Sequence, residues 1–75
     1  MHTPTFYSAR LKQLRDAKQW SRQDLAVEIA LRGQRAHPET LKSWEDGDTY
    51  PDADMLPVLA QIFGVSIQSL FTNGT

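Results

Sequence analysis

The residues best suited to chemistry lie in the run DGDTYPDAD, where Asp46, Asp48, Asp52 and Asp54 place four carboxylates within nine positions. Oxygen ligands at alternating positions are what a hard cation such as calcium takes. Counted from Asp46, however, the fifth position is Tyr50, the sixth is Pro51 where such a loop needs glycine, and the twelfth is Pro57 where it needs a bidentate glutamate. A calcium loop is excluded, and turn formation and helix capping account for the four aspartates. The two histidines stand far apart, His2 near the N-terminus and His37 at a helix start, and define no joint metal site. There is no cysteine, no glycine-rich phosphate loop and no Ser/His/Asp set with workable placement. The residues therefore indicate no enzyme, no metal and no cofactor. Asn73-Gly74-Thr75 satisfies the glycosylation sequon by chance, because no secretion signal accompanies it.

What remains is the chemistry of charge. The net charge is only -1 over 75 residues, but the charges are segregated along the chain. Residues 1–35 hold seven cations (Arg10, Lys12, Arg15, Lys18, Arg22, Arg32, Arg35) against three anions, whereas residues 36–75 hold Lys42 alone against six anions. The first half attracts a polyanion and the second repels it. A single domain is expected over 1–75, with its core within 7–71, and a chain of this size leaves little interior for a deep active-site cavity. No apolar run reaches the roughly 20 residues of a membrane helix, and MHTPTFYSAR does not read as a signal peptide, so a cytoplasmic protein without a membrane partner is expected.

The elements that must position these charges all read as helices. Leu11, Leu14 and Ala17 recur at helical spacing and predict a first helix over 7–18. Ser21 with Asp24 is close to a capping box and starts a second helix at Arg22, whose expected stripe is Leu25, Ala26, Ile29 and Ala30 and whose stop is Gly33. His37 is the expected cap of a third helix with Pro38 in its first position; Leu41 and Trp44 are its only large apolar residues before Gly47, so one face stays free. Leu56, Leu59, Ala60 and Phe63 predict a fourth helix capped at Asp54, with Pro57 in the first turn, ending at Gly64. Ser66 caps an expected fifth, with Ile67, Leu70 and Phe71 as its stripe.

Taken together, RLKQLRDAKQWSRQDLAVEI, TLKSWEDG and LPVLAQIFGVSIQSLF, from Arg10 to Phe71, resemble the Cro/C1-type helix-turn-helix family of phage repressors and small bacterial regulators. The resemblance covers about four fifths of the chain, and its closing stretch looks like the DNA-binding domains of lambdoid repressors. It implies an all-α, five-helix lambda-repressor-like domain whose helix-turn-helix spans 21–46, with the helix starting at Pro38 in the major groove of double-stranded DNA. By position, Pro38, Glu39, Thr40 and Ser43 become the base readers, Glu39 accepting from a cytosine amino group and Thr40 or Ser43 bonding to several edges. Lys42 is assigned to phosphate or guanine, and Ser21, Arg22 and Gln23 at the start of the second helix to phosphate. The same resemblance sets Arg15 opposite Glu45 in a largely buried, structural ion pair.

Two departures from the family pattern shape the expected interface. Ala30 through His37 occupy the place of a shorter turn, an insertion of about five residues that tilts the third helix and offers Arg32, Gln34 and Arg35 as clamps on backbone phosphate. After the third helix, where lambdoid repressors carry lysines and arginines, this chain has Asp46 and Asp48. A sequence-specific transcriptional regulator, a repressor acting as a homodimer on DNA, is the leading expectation. Ile67, Gln68 and Phe71 are the candidate dimer surface, with burial of Ile67 and Phe71 in the core as the equal alternative. The competing function is an antitoxin-like or adaptor module that docks a protein partner through Asp46, Asp48 and Asp52; spare apolar surface would favour it, and a basic face on the second and third helices would favour DNA.

Overall fold

The computed structural model describes residues 5–72; His2 and the Asn73-Gly74-Thr75 sequon lie outside them. In chain order the elements are a two-residue strand β1 (Thr5–Phe6), helices α1 (Ser8–Ala17), α2 (Arg22–Leu31), α3 (Pro38–Asp46) and α4 (Met55–Phe63), one 3-10 turn (Ile67–Leu70), and a strand β2 (Phe71–Thr72). Helix α3 packs against both α1 and α2, while α4 packs against α2 and the 3-10 turn. Leu11, Leu25, Ile29, Leu41, Leu59 and Leu70 are completely buried at the centre of this arrangement, one or two from each α-helix and one from the 3-10 turn. Truncating any of them to alanine is expected to cost about 2–5 kcal/mol.

Among the described residues there are four α-helices, not five. Ser66 does cap the last helical segment, its Oγ accepting from Ser69 N at 3.3 Å, but the segment is a single 3-10 turn and the chain becomes extended at Phe71 (φ -118, ψ 149). Pairing wins over helix continuation there: β2 lies antiparallel to β1 with Phe71 opposite Phe6, and the two rings meet edge-on at 6.3 Å. Two-residue strands carry no alternation, so the periodicity of the sequence does not reveal them. Ile67, placed in the expected helical stripe, is instead 40% exposed.

The other boundaries differ in smaller ways. Helix α1 starts one residue after and ends one residue before the expected 7–18, with Tyr7 and Lys18 as its flanks. Ala17 and Ala30 were expected to be buried and are exposed, because Leu11, Leu25 and Ile29 already fill the contacts of α1 and α2. Asp54 flanks α4 in helical conformation (φ -68, ψ -25) and makes no side-chain cap bond. The α1–α2 turn passes through Gln19 at φ 59, while Gly33 and Gly47 take φ 85 and 82 beyond α2 and α3.

Candidate nucleic-acid interface

Each end of the α2–α3 pair is fixed by its own residues. At the start of α2, Ser21 Oγ accepts from Asp24 N (3.1 Å) and Asp24 Oδ2 accepts from Ser21 N (2.9 Å), a complete capping box. At the start of α3, His37 Nδ1 accepts from Glu39 N at 3.1 Å, and Pro38 stands in the first turn. An acceptor at Nδ1 leaves the neutral ring with its proton on Nε2, an exposed donor beside the helix start. At the far end, Gly47 in the left-handed region lets Asp48 N donate back to Ser43 O at 2.9 Å.

Helix α3 buries Leu41, Trp44 and Glu45 and leaves Glu39, Thr40, Lys42 and Asp46 exposed, with Pro38 and Ser43 half-buried. Glu39, Lys42, Ser43 and Asp46 stand three or four residues apart and share one face. The expected readers therefore fall on the part of α3 that packing leaves open.

Beneath this face lies a network of four charges, Arg15, Asp16, Arg22 and Glu45. Arg15 of α1 donates from Nε to Glu45 Oε2 (2.6 Å) and from Nη2 to Glu45 Oε1 (3.1 Å), in fork geometry. Its Nη1 donates to Trp20 O at 2.6 Å, which ties the α1–α2 turn into the same junction. Arg22, assigned from the sequence to phosphate, donates from Nε to Glu45 Oε1 at 3.1 Å. The Glu45 side chain is 0% exposed, against 9% for Arg15 and 33% for Arg22. The hydrogen bond to Glu45 holds the Arg15 guanidinium firmly protonated, raising its pKa against the opposing effect of burial. Asp16 Oδ1 also stands 3.5 Å from Arg15 Nη1, so two cations face two carboxylates here, and Arg22 is the cation of the pair that is partly open to solvent, at the start of α2.

The other assigned cations are also engaged, with one exception. Arg32 donates to Glu28 Oε1 (2.9 Å), Glu28 O (3.0 Å) and Gln61 Oε1 (3.2 Å), so it links α2 to α4. Lys42 donates to Asp46 Oδ2 at 2.7 Å; that bond pushes the Lys42 pKa up and the Asp46 pKa down. Arg35 is exposed and makes no hydrogen bond or ion pair among the described residues. It lines an open groove of about 770 Å³ together with Gln23, Val27 and Ala30 of α2, Gln34, and His37, Pro38 and Thr40 around the start of α3. Among the described residues no carboxylate lines that groove.

The pairs Glu28–Arg32 and Lys42–Asp46 were legible as four-residue helical spacings and were missed by reading each cation alone. No spacing signals the Arg22–Glu45 contact, which joins two helices 23 residues apart. Missed too was the outer face of α2, where Val27 is 48% and Leu31 73% exposed. Among the residues considered for a dimer surface, Ile67 and Gln68 are exposed, while Phe71 is half-buried in β2 against Phe6.

Two helices joined by a connector and braced by a third define a small helical domain of the helix-turn-helix class. The family model described as "Helix-turn-helix domain" matches residues 8–74, and the chain belongs to that family. Its members are typically DNA-binding regulators. No curated protein and no solved structure gives a significant match. No helix among the described residues is long and apolar enough to cross a membrane.

Proposed function

We propose that this protein is a sequence-specific regulator of transcription, a repressor of the Cro/C1 type, whose single helix-turn-helix domain sets α3 in the major groove of double-stranded DNA. The observation that carries this reading is the division of α3: Leu41, Trp44 and Glu45 are buried against α1 and α2, while Glu39, Thr40 and Lys42 stand exposed and Pro38 and Ser43 border them. Glu39 accepts from a cytosine amino group, and Thr40 and Ser43 supply hydroxyls to base edges. Phosphate is held by Arg35, Gln34 and Gln23 along the groove and by the Ser21–Arg22 start of α2; Arg32 and Lys42 reach it only by leaving Glu28 and Asp46. Two copies on a palindromic site, meeting through Ile67, Gln68 and the Phe71 edge, give the site length that one small domain lacks.

Selection from a random duplex pool tests the reading. The parent is expected to enrich a defined sequence with binding that falls steeply with salt, and Glu39→Gln to enrich a different one. A pool that shows no enrichment, or binding indifferent to salt, overturns it. One chain per palindromic site refutes the dimer.

A second reading is favoured by two observations. Val27 and Leu31 expose apolar surface on α2, and three of the four cations assigned to phosphate are already paired with carboxylates. An adaptor or antitoxin-like module would use such a surface, with Asp46, Asp48 and Asp52 as its charged contacts. Leu31→Ser, at an exposed apolar residue outside the lining of the phosphate groove, separates the two readings: DNA binding survives in a regulator that uses α3, and partner capture is weakened in an adaptor.

A further inference from the structure

Arg35 stands on a ridge between two grooves. On one side is the carboxylate-free groove along α2; on the other, a groove of about 430 Å³ is shared by Arg35 and Thr40 with Thr49, Tyr50, Asp52 and Asp54 of the α3–α4 loop. Asp52 and Asp54 are exposed, and like Arg35 they form no ion pair among the described residues. The other cations of this face have carboxylates at 2.7–3.1 Å: Arg22 at Glu45, Arg32 at Glu28 and Lys42 at Asp46. Among the described residues, the Arg35 guanidinium, which has no partner, thus borders a groove that also holds carboxylates without partners.

We propose that Asp52 and Asp54 act as internal counter-charges to Arg35, competing with phosphate for its guanidinium and so setting the affinity of this face for a nucleic-acid backbone. The proposal rests on the DNA-binding reading above and adds a determinant to it. A carboxylate and a phosphate offer an arginine the same paired oxygens, so each excludes the other. Arg35 lines both grooves, so its long exposed stem reaches either side without a change of backbone. The competition acts across one solvent-filled groove and fades as salt rises, because exposed charges are screened.

The test is a double-mutant cycle read by fluorescence anisotropy on a short mixed-sequence duplex. Asp52→Asn with Asp54→Asn is expected to tighten binding roughly three- to tenfold at low salt, with the gain vanishing at high salt. In an Arg35→Gln background the same pair should gain less than about twofold. Equal gains in both backgrounds overturn the proposal, because they report overall charge alone, and so does no gain in the parent. Heparin-column elution provides a readout independent of duplex DNA. If no variant binds the duplex but the Asp52/Asp54 variant elutes later only when Arg35 is present, the DNA reading fails and the counter-charge stands; coincident elution overturns it. Thermal melts confirm that each variant is folded.

Discussion

The two connections that flank α2 solve opposite problems. Between α1 and α2 the chain turns in four residues, and the groups that fix that junction are partnered within it: Ser21 and Asp24 cap each other, while Arg15, Arg22, Glu45 and the Trp20 carbonyl form one network. Trp20 also meets Phe63 of α4 in a tilted ring contact at 5.9 Å, pinning the turn to α4. Between α2 and α3 the chain takes six residues, of which only Gln34 and Ala36 are even half-buried, and Arg35 has no partner among the described residues. A charge whose partner is buried with it fixes the angle between helices. A charge left exposed and unpaired retains its attraction for an outside anion.

The largest effect expected from this contrast is at the first junction. Glu45→Ala leaves Arg15 buried without its carboxylate, which costs roughly 3–5 kcal/mol, most of the stability of a domain this small. Chemical denaturation should show a large fall in midpoint, with DNA binding lost only as the protein unfolds. An alanine variant as stable as the parent but unable to bind DNA would move Glu45 from the scaffold to the binding surface.

A smaller effect separates the two arginines that the sequence assigns alike to phosphate. Arg35→Gln should leave stability within about 0.5 kcal/mol of the parent, since it removes no hydrogen bond or ion pair among the described residues. It should lower the logarithmic salt slope of DNA binding by about 0.9 if its guanidinium meets one phosphate. Arg22→Gln should instead act on both quantities, because its Nε is bonded to Glu45 while a third of its side chain is open to solvent. Its stability loss should stay near 1 kcal/mol or below, given that exposure. If both variants lose binding and neither loses stability, the Arg22–Glu45 contact does not brace the fold and the distinction between the junctions collapses.

What the sequence conveyed follows the same division. Caps and stops depend on neighbours, so Ser21–Asp24, His37–Pro38, Gly47 and Gly64 marked helix ends that the fold retains. The third helix could be placed for the same reason, and with it the exposure of Glu39, Thr40 and Lys42. Contacts that cross the fold left no local trace: the β1–β2 pair depends on Phe6 meeting Phe71 across the whole chain, and Arg22 reaches Glu45 from another helix. Assigning Arg22, Arg32 and Lys42 to DNA counted charges without their neighbours, although two of the three partners stood four residues away.

The finest comparison between the junctions concerns backbone alone. Gln19 in the α1–α2 turn and Gly33 after α2 both adopt the left-handed region, at φ 59 and 85. A side chain there pushes its Cβ toward the adjacent carbonyl, at a cost of roughly 1 kcal/mol, which glycine avoids. A Cβ built on Gly33 meets nothing within 4 Å, so Gly33→Ala suffers that strain and no clash. It should destabilise the protein by about 1 kcal/mol. At Gln19 the backbone bonds from Lys18 N to Arg15 O (3.1 Å), from Gln19 N to Asp16 O (2.9 Å) and from Trp20 N to Arg15 O (3.2 Å) impose the conformation whatever the residue. Gln19→Gly relieves the strain but frees the unfolded chain, so its gain should be smaller, at most about 1 kcal/mol. Melting both variants beside the parent decides whether the tight turn holds a strained residue that the longer connector avoids. If Gln19→Gly proves clearly destabilising, the glutamine side chain contributes to the turn more than its conformation costs, and the first junction depends on contacts beyond its charges.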